Sequence, residues 1–129
     1  MAEKQKKILL TDDEANIVRV VTARLRAYGY EVIAAADGEE ALQLARREKP
    51  DLLLLDILLP RLDGFKVCQQ LKADPEWKRV PIILFSAKTQ DIDRQIGLES
   101  GADAYISKPF QPELLIQTIQ DLLKDKKPC

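Results

Sequence analysis

Apolar residues follow two alternating rhythms along the chain. Short runs of strand length are separated by stretches where apolar positions recur every three or four residues. Lys7 to Thr11 is a short apolar run followed by acids. From Glu14 to Tyr28, the residues Val18, Val21, Leu25 and Tyr28 keep a helical spacing, and Gly29 follows where a helix end favours a residue tolerant of left-handed geometry. Tyr30 to Ala35 reads as a second strand. Asp37 and Glu40 form a capping pair that opens a helix to about Glu48, and Pro50 breaks it. Asp51 to Asp56 contains four consecutive leucines and is apolar on both faces, as a central strand of a parallel sheet is. A helix from about Asp63 to Ala73 and a buried strand over Val80 to Ser86 come next. A helix over Asp91 to Ser100 is closed by Gly101, and Asp103 to Ser107 is a fifth strand. A last helix begins near Pro112 and carries Leu115, Ile119 and Leu122 on one face.

Strands joined through helices run parallel, with right-handed crossovers that cover both faces. The pattern therefore predicts an α/β fold, a five-stranded parallel sheet with five helices on both faces. The 129 residues suit one domain with one ordered core over about 6–124 and a tail over 125–129. There is no internal repeat, low-complexity tract or linker.

Composition narrows the function classes. Apolar residues make up 46% and charged residues 32%, a globular profile. The net charge of -1 gives no global field toward nucleic acid or an anionic membrane, so neither is expected as a partner. The longest apolar run, Val32 to Ala36, is too short to span a bilayer, and no signal peptide precedes the first strand; a cytoplasmic protein is expected. Cys68 and Cys129 form no metal or redox motif; Cys68 reads as a core residue. Histidine is absent, which removes histidine triads, ligands and general bases.

In an open parallel sheet, ligands bind beyond the carboxyl ends of the strands. Strand one ends in Asp12-Asp13, strand three in Asp56, strand four in Ser86-Ala87 and strand five in Ser107-Lys108-Pro109. Strand two ends at Asp37, an acid that the helix cap explains. Three carboxylates, a hydroxyl and an ammonium thus meet at one edge. At about 4 Å and an effective dielectric of about 20, each like-charged pair costs roughly 4 kcal/mol. One lysine does not offset this. Oxygen ligands without His or Cys point to Mg²⁺, which leaves room for a phosphate. A carboxylate beside Mg²⁺ and Lys108 can attack phosphorus and form an acyl phosphate, with Ser86 donating to a phosphoryl oxygen.

The stretches ILLTDDE (Ile8 to Glu14), PDLLLLDILLPRLDG (Pro50 to Gly64), VPIILFSA (Val80 to Ala87) and GADAYISKPF (Gly101 to Phe110) carry a resemblance to the response-regulator receiver family over nearly the whole chain. The resemblance implies the flavodoxin-like strand order 2-1-3-4-5 and a two-component phosphorelay switch. It implies Asp56 as phosphoacceptor, Asp13 and Asp56 as direct Mg²⁺ ligands, Asp12 as a ligand chiefly through water, and the Leu58 carbonyl as a further ligand. The backbone at Leu58 and Ala87 contacts the phosphoryl group, as does Lys108, which a cis Lys108–Pro109 bond aims. Ser86 and Tyr105 form the switch pair, in which the aromatic ring fills the space that the hydroxyl leaves. The implied partners are a sensor histidine kinase or histidine phosphotransfer protein. A downstream effector or second copy binds through the fourth helix, fifth strand and fifth helix. Leu58 and Lys88 occupy positions that vary in the family and set the phosphoryl lifetime.

Competing functions fit less well. A haloacid-dehalogenase-like phosphatase needs a second Asp two residues after the nucleophile, where Leu58 stands. A never-phosphorylated scaffold of the same shape usually lacks an acid or the lysine, and all are present. Neither glycine-rich nucleotide motif occurs. No output domain lies within these residues, so the chain reads as a stand-alone regulator or as one part of a longer protein.

Overall fold

The computed structural model describes residues 5–56, 64–86, 101–107 and 111–124. Along the chain, β1 (Lys7–Thr11), α1 (Ala15–Ala27), β2 (Glu31–Ala35), α2 (Gly38–Glu48), β3 (Leu52–Asp56), α3 (Gly64–Lys72), β4 (Ile82–Ser86) and β5 (Ala104–Ser107) precede the last helix, α4 (Pro112–Lys124). The five strands form one sheet in the order β2-β1-β3-β4-β5, and every neighbouring pair is parallel. The helix expected over Asp91 to Ser100 lies outside the described residues, as do the tail and Cys129.

The two-residue period of each strand divides the core in two. Leu53 and Leu55 of β3 join Leu9, Ile82 and Leu84 under α2 and α3, where Ala41, Ala45, Val67, Cys68 and Leu71 pack. Leu52 and Leu54 face the other way, joining Ile8, Leu10, Ile83 and Phe85 under Val21 and Leu25 of α1 and Leu115 and Ile119 of α4. All five residues of β3 are buried, which explains its run of leucines.

Helix ends follow local chemistry. Oδ1 of Asp37 accepts the Glu40 N–H at 2.8 Å, and the Glu40 carboxylate reaches back to the Ala36 N–H at 2.8 Å. Two backbone donors at the start of α2 are thus satisfied by two side chains. Asp37→Ala is expected to cost about 1 kcal/mol, read as a lower urea midpoint with an unchanged slope. Gly29, at φ +91°, closes α1 with its N–H on the Arg26 carbonyl. α2 instead ends on Lys49 in the left-handed region at φ 50°, with its N–H on the Ala45 carbonyl, and Pro50 follows.

Polar clamps hold the amino ends of the strands. The Asp51 carboxylate accepts the Lys7 N–H at 2.7 Å, and the Asp51 N–H returns to the Lys7 carbonyl at 2.7 Å. At the other side of the sheet, Nζ of Lys72 donates to the carbonyls of Val80 (2.7 Å) and Lys78 (3.2 Å) and pairs with Oδ2 of Asp103 at 3.3 Å. That same oxygen accepts the Ile82 N–H at 2.8 Å. Trp77 departs from the sequence reading. By sequence, the Asp74-Pro75-Glu76-Trp77 connection before β4 suggests a partner surface or, at least as readily, an exposed tryptophan over a core edge, yet Trp77 is 4% exposed and belongs to the core beneath α2 and α3. The turns from Asp74 to Val80 fold it inward, with Trp77 N–H on the Asp74 carbonyl and Val80 N–H on the Trp77 carbonyl. Among the described residues, no helix is long and apolar enough to cross a membrane.

Candidate functional site

The strand order reverses between β1 and β3. From β1 the chain crosses to β2 on one side, then returns to β3 on the other. The helices that follow these two central strands, α1 and α3, pack on opposite faces. A crevice therefore opens beyond the carboxyl ends of β1 and β3. Asp12 and Asp13 leave β1 into it, and Asp56 is the last residue of β3.

These three side chains converge. One carboxylate oxygen from each of Asp12, Asp13 and Asp56 lies within 4.8 Å of the others. Asp12 and Asp56 are 2% and 5% exposed, whereas Asp13 faces solvent, so the cluster has a dry floor and one wet side. Local geometry fixes Asp12. Its N–H extends the β1–β2 ladder to the Ala35 carbonyl at 3.2 Å, and its Oδ1 accepts the Glu14 N–H at 2.9 Å, the turn that launches α1. At this spacing, and at an effective dielectric of about 20, each ionised pair costs on the order of 3 kcal/mol before solvent screening. The donor set suits a hard cation: three carboxylates in reach of one ion, with a solvent side for retained water.

The other expected site residues distribute as follows. Ser86 ends β4, in register with Ser107 of β5, which puts it at the same edge as the acids. Tyr105 is 8% exposed, pairs in register with Leu84 and lies in the core beneath α2 and α3. Leu58, Ala87, Lys108 and Pro109 lie outside the described residues.

Two features near the acids escape sequence reading. Thr11 is fully buried between Ala35 and Leu55, and its hydroxyl has no hydrogen-bond partner among the described residues. Such a group costs about 1–3 kcal/mol. A threonine at a strand end carries no signal of this, because β propensity alone accounts for it. Beside Asp12 and Asp13, a depression of about 350 Å³ is lined further by Val18, Arg19, Ala34 and Glu40. Its walls come from α1, β2 and α2, which only the tertiary fold brings together.

Comparison with known proteins agrees with this geometry. Residues 8–120 match the family model described as the response regulator receiver domain. The probable transcriptional regulator ycf27 of Porphyridium aerugineum is 49% identical over 121 residues, covering 94% of this chain and 49% of that protein. The chain thus spans about half the length of the curated relatives it matches. A crystal structure of a putative response regulator from Chloroflexus aurantiacus superposes with a TM-score of 0.90 at 36% identity, covering 94% of this chain and 99% of that one. The receiver domain of a sensor histidine kinase from Pseudomonas aeruginosa, solved with magnesium coordinated in its active-site cleft, gives a TM-score of 0.87 at 35% identity, covering 94% and 99%. The chain belongs to the response regulator receiver domain family, the phosphorylation-dependent switches of two-component signalling.

Proposed function

We propose that Asp56 is the phosphoacceptor of this switch. The observation that carries the reading is the convergence of Asp12, Asp13 and Asp56 at the point where the strand order reverses. A carboxylate oxygen of Asp56 attacks phosphorus, forming an O–P bond. The P–N bond of a phosphohistidine on a partner kinase or phosphotransfer protein breaks, and its electron pair stays on the imidazole nitrogen. Asp13 and Asp56, the Leu58 carbonyl and, through water, Asp12 would hold Mg²⁺. When bound, the ion supplies charge neutralisation for the carboxylates and the phosphoryl oxygens. Lys108 would offset the remaining charge, with the Lys108–Pro109 bond expected to be cis. The Ser86 hydroxyl and the backbone at Leu58 and Ala87 position the phosphoryl oxygens.

Tyr105 completes the reading. Its ring is already buried, so the Ser86 hydroxyl and the Tyr105 ring form a switch pair whose inward arrangement is favoured once the phosphoryl group holds Ser86. The output surface would comprise the helix expected over Asp91 to Ser100, which lies outside the described residues, together with β5 and the last helix, and a downstream effector or a second copy would dock there. We read the chain as a single cytoplasmic receiver domain over 1–129. A role in transcriptional control is supported by the relatives' names. This domain does not itself contact nucleic acid.

The test is intact mass after incubation with a small phosphodonor, with Mg²⁺ and with a chelator. One phosphoryl adduct that requires Mg²⁺ is the expected result; no adduct despite demonstrated Mg²⁺ binding overturns the reading. Self-dephosphorylation is expected to be slow, because an apolar Leu58 cannot orient an attacking water. Leu58→Asn is expected to shorten the adduct's half-life severalfold, followed by the same mass measurement over time. An unchanged half-life removes Leu58 from that role.

A further inference from the structure

We propose that the groove between α1 and β2 docks an extended acidic segment of a partner protein, which adds as a strand to the open edge of β2. The groove adjoins the phosphoacceptor cluster at one end, where Asp12 and Asp13 line it, and does not involve β5 or α4.

β2 is a terminal strand and pairs only with β1. The bonds Glu31 N–H to Lys6 carbonyl (2.9 Å) and Asp12 N–H to Ala35 carbonyl (3.2 Å) fix which residues serve that ladder. By the alternation of a parallel pair, Glu31, Ile33 and Ala35 face β1, while the N–H and C=O of Val32 and Ala34 face outward. Just past the strand, the Glu40 carboxylate takes up the Ala36 N–H. No hydrogen bond among the described residues does the same at Val32 or Ala34. Two usual guards of an edge are absent as well: Glu31–Ala35 contains no proline and no lysine, its one charge is Glu31 at the amino end, and Ala34 is exposed.

A groove accompanies this edge. Depressions of about 350 and 410 Å³ share Val18, Arg19 and Ala34 and run along α1 to Arg26. In the second, the lining is Val18, Thr22, Ala23, Val32 and Ala34 with Arg19 and Arg26, and no carboxylate. Neither arginine is ion-paired among the described residues; Arg19 donates only to the Asn16 side chain at 3.0 Å. At the other end, Asp12, Asp13 and Glu40 would repel an acidic chain, which confines it to the stretch between Arg19 and Arg26. These two residues are seven apart on α1, about 10.5 Å along its axis. Three side chains on one face of an extended segment, at alternate positions, span about 13 Å. The segment that fits is therefore acid–x–apolar–x–acid. Its backbone pairs with Val32 and Ala34, its apolar side chain meets Val18 and Ala34, and its carboxylates meet the two guanidinium groups.

The probe is a fluorescein-labelled peptide, TETVTET, followed by anisotropy and by amide chemical shifts of the labelled protein. Saturable binding below about 1 mM with shifts at Val32 and Ala34 is expected. Ala34→Pro removes an outward N–H without touching the β1 ladder and is expected to weaken binding at least about tenfold. The double variant Arg19→Glu, Arg26→Glu is expected to lose TETVTET and to gain TKTVTKT; both variants are first checked for fold by circular dichroism. The proposal is overturned if the wild type shows no saturable binding, or if Ala34→Pro folds and binds as well as the wild type. It is also overturned if the double variant still prefers the acidic peptide. Self-association of the wild type that the peptide cannot displace, and that Ala34→Pro abolishes, would make a second copy the occupant and equally overturn it.

Discussion

Asp56→Asn is expected to abolish Mg²⁺-dependent phosphoryl uptake and, in the absence of metal, to make the protein more stable. The two effects come from one atom exchange. The amide cannot act as the nucleophile, so the mass adduct disappears entirely. The same exchange removes one of three carboxylates that lie within 4.8 Å of one another. Removing Asp56 relieves two repulsive pairs, each on the order of 3 kcal/mol before screening. Asp13 faces solvent and its share is discounted heavily, while the buried Asp12 keeps most of its own. A net gain of about 1–3 kcal/mol remains, which raises the metal-free melting temperature by roughly 3–10 °C for a domain of this size. Mg²⁺ should then stabilise the wild type more than the variant, because only the wild type offers the full set of charges. A variant that melts at or below the wild-type temperature without metal would show that Asp56 is stabilised by its other partners rather than strained by its neighbours.

The second large effect lies at the opposite edge of the sheet. Gly101→Ala is expected to cost about 2–4 kcal/mol, and Gly29→Ala only about 1–2 kcal/mol, measured by urea unfolding. Both glycines have positive φ, +105° and +91°. An added methyl at Gly29 meets nothing within 4 Å, so backbone strain is the whole cost there. At Gly101 the same methyl would sit 2.7 Å from Cγ of Lys72 and 3.1 Å from its Cβ. That side chain cannot swing away freely, because its ammonium is held by two carbonyls and by Asp103. The clash therefore spreads into the clamp between α3, β4 and β5. In a Lys72→Ala background, Gly101→Ala should cost only the strain component. Equal costs at the two glycines would sink the argument.

Much of this molecule is legible in the chain because its strands carry their burial locally. The run Leu52 to Leu55 announces a strand covered on both faces, and both cores divide as a two-residue period requires. Asp37 and Glu40 announce a helix start that the structure closes with two side-chain bonds. The convergence of Asp12, Asp13 and Asp56 is legible the same way, since a strand's carboxyl end is fixed once the strand is. What stays hidden is non-local. Lys72 and Asp103 are 31 residues apart, and no pattern in either segment pairs them. Trp77 sits in a polar turn sequence, Asp74 to Arg79, that reads as exposed, and only the space under α2 and α3 makes it core. Lys49 ends a helix in a left-handed turn usually taken by glycine, so the sequence showed only the proline behind it.

The position of β1 inside the sheet, between β2 and β3, has a consequence for biosynthesis. Ile8 and Leu10 need β3 beside them, yet β3 leaves the ribosome more than forty residues later. At about 5–20 residues per second, the first strand waits on the order of 2–10 s for that neighbour. β3 itself is a four-leucine segment that must wait in turn for β4. Such a segment is prone to aggregate while it is unpaired. Asp51 and Asp56 bracket it. The acid that clamps the sheet at one end and the acid of the reactive cluster at the other therefore also act, in the nascent chain, as charged gatekeepers around its stickiest stretch.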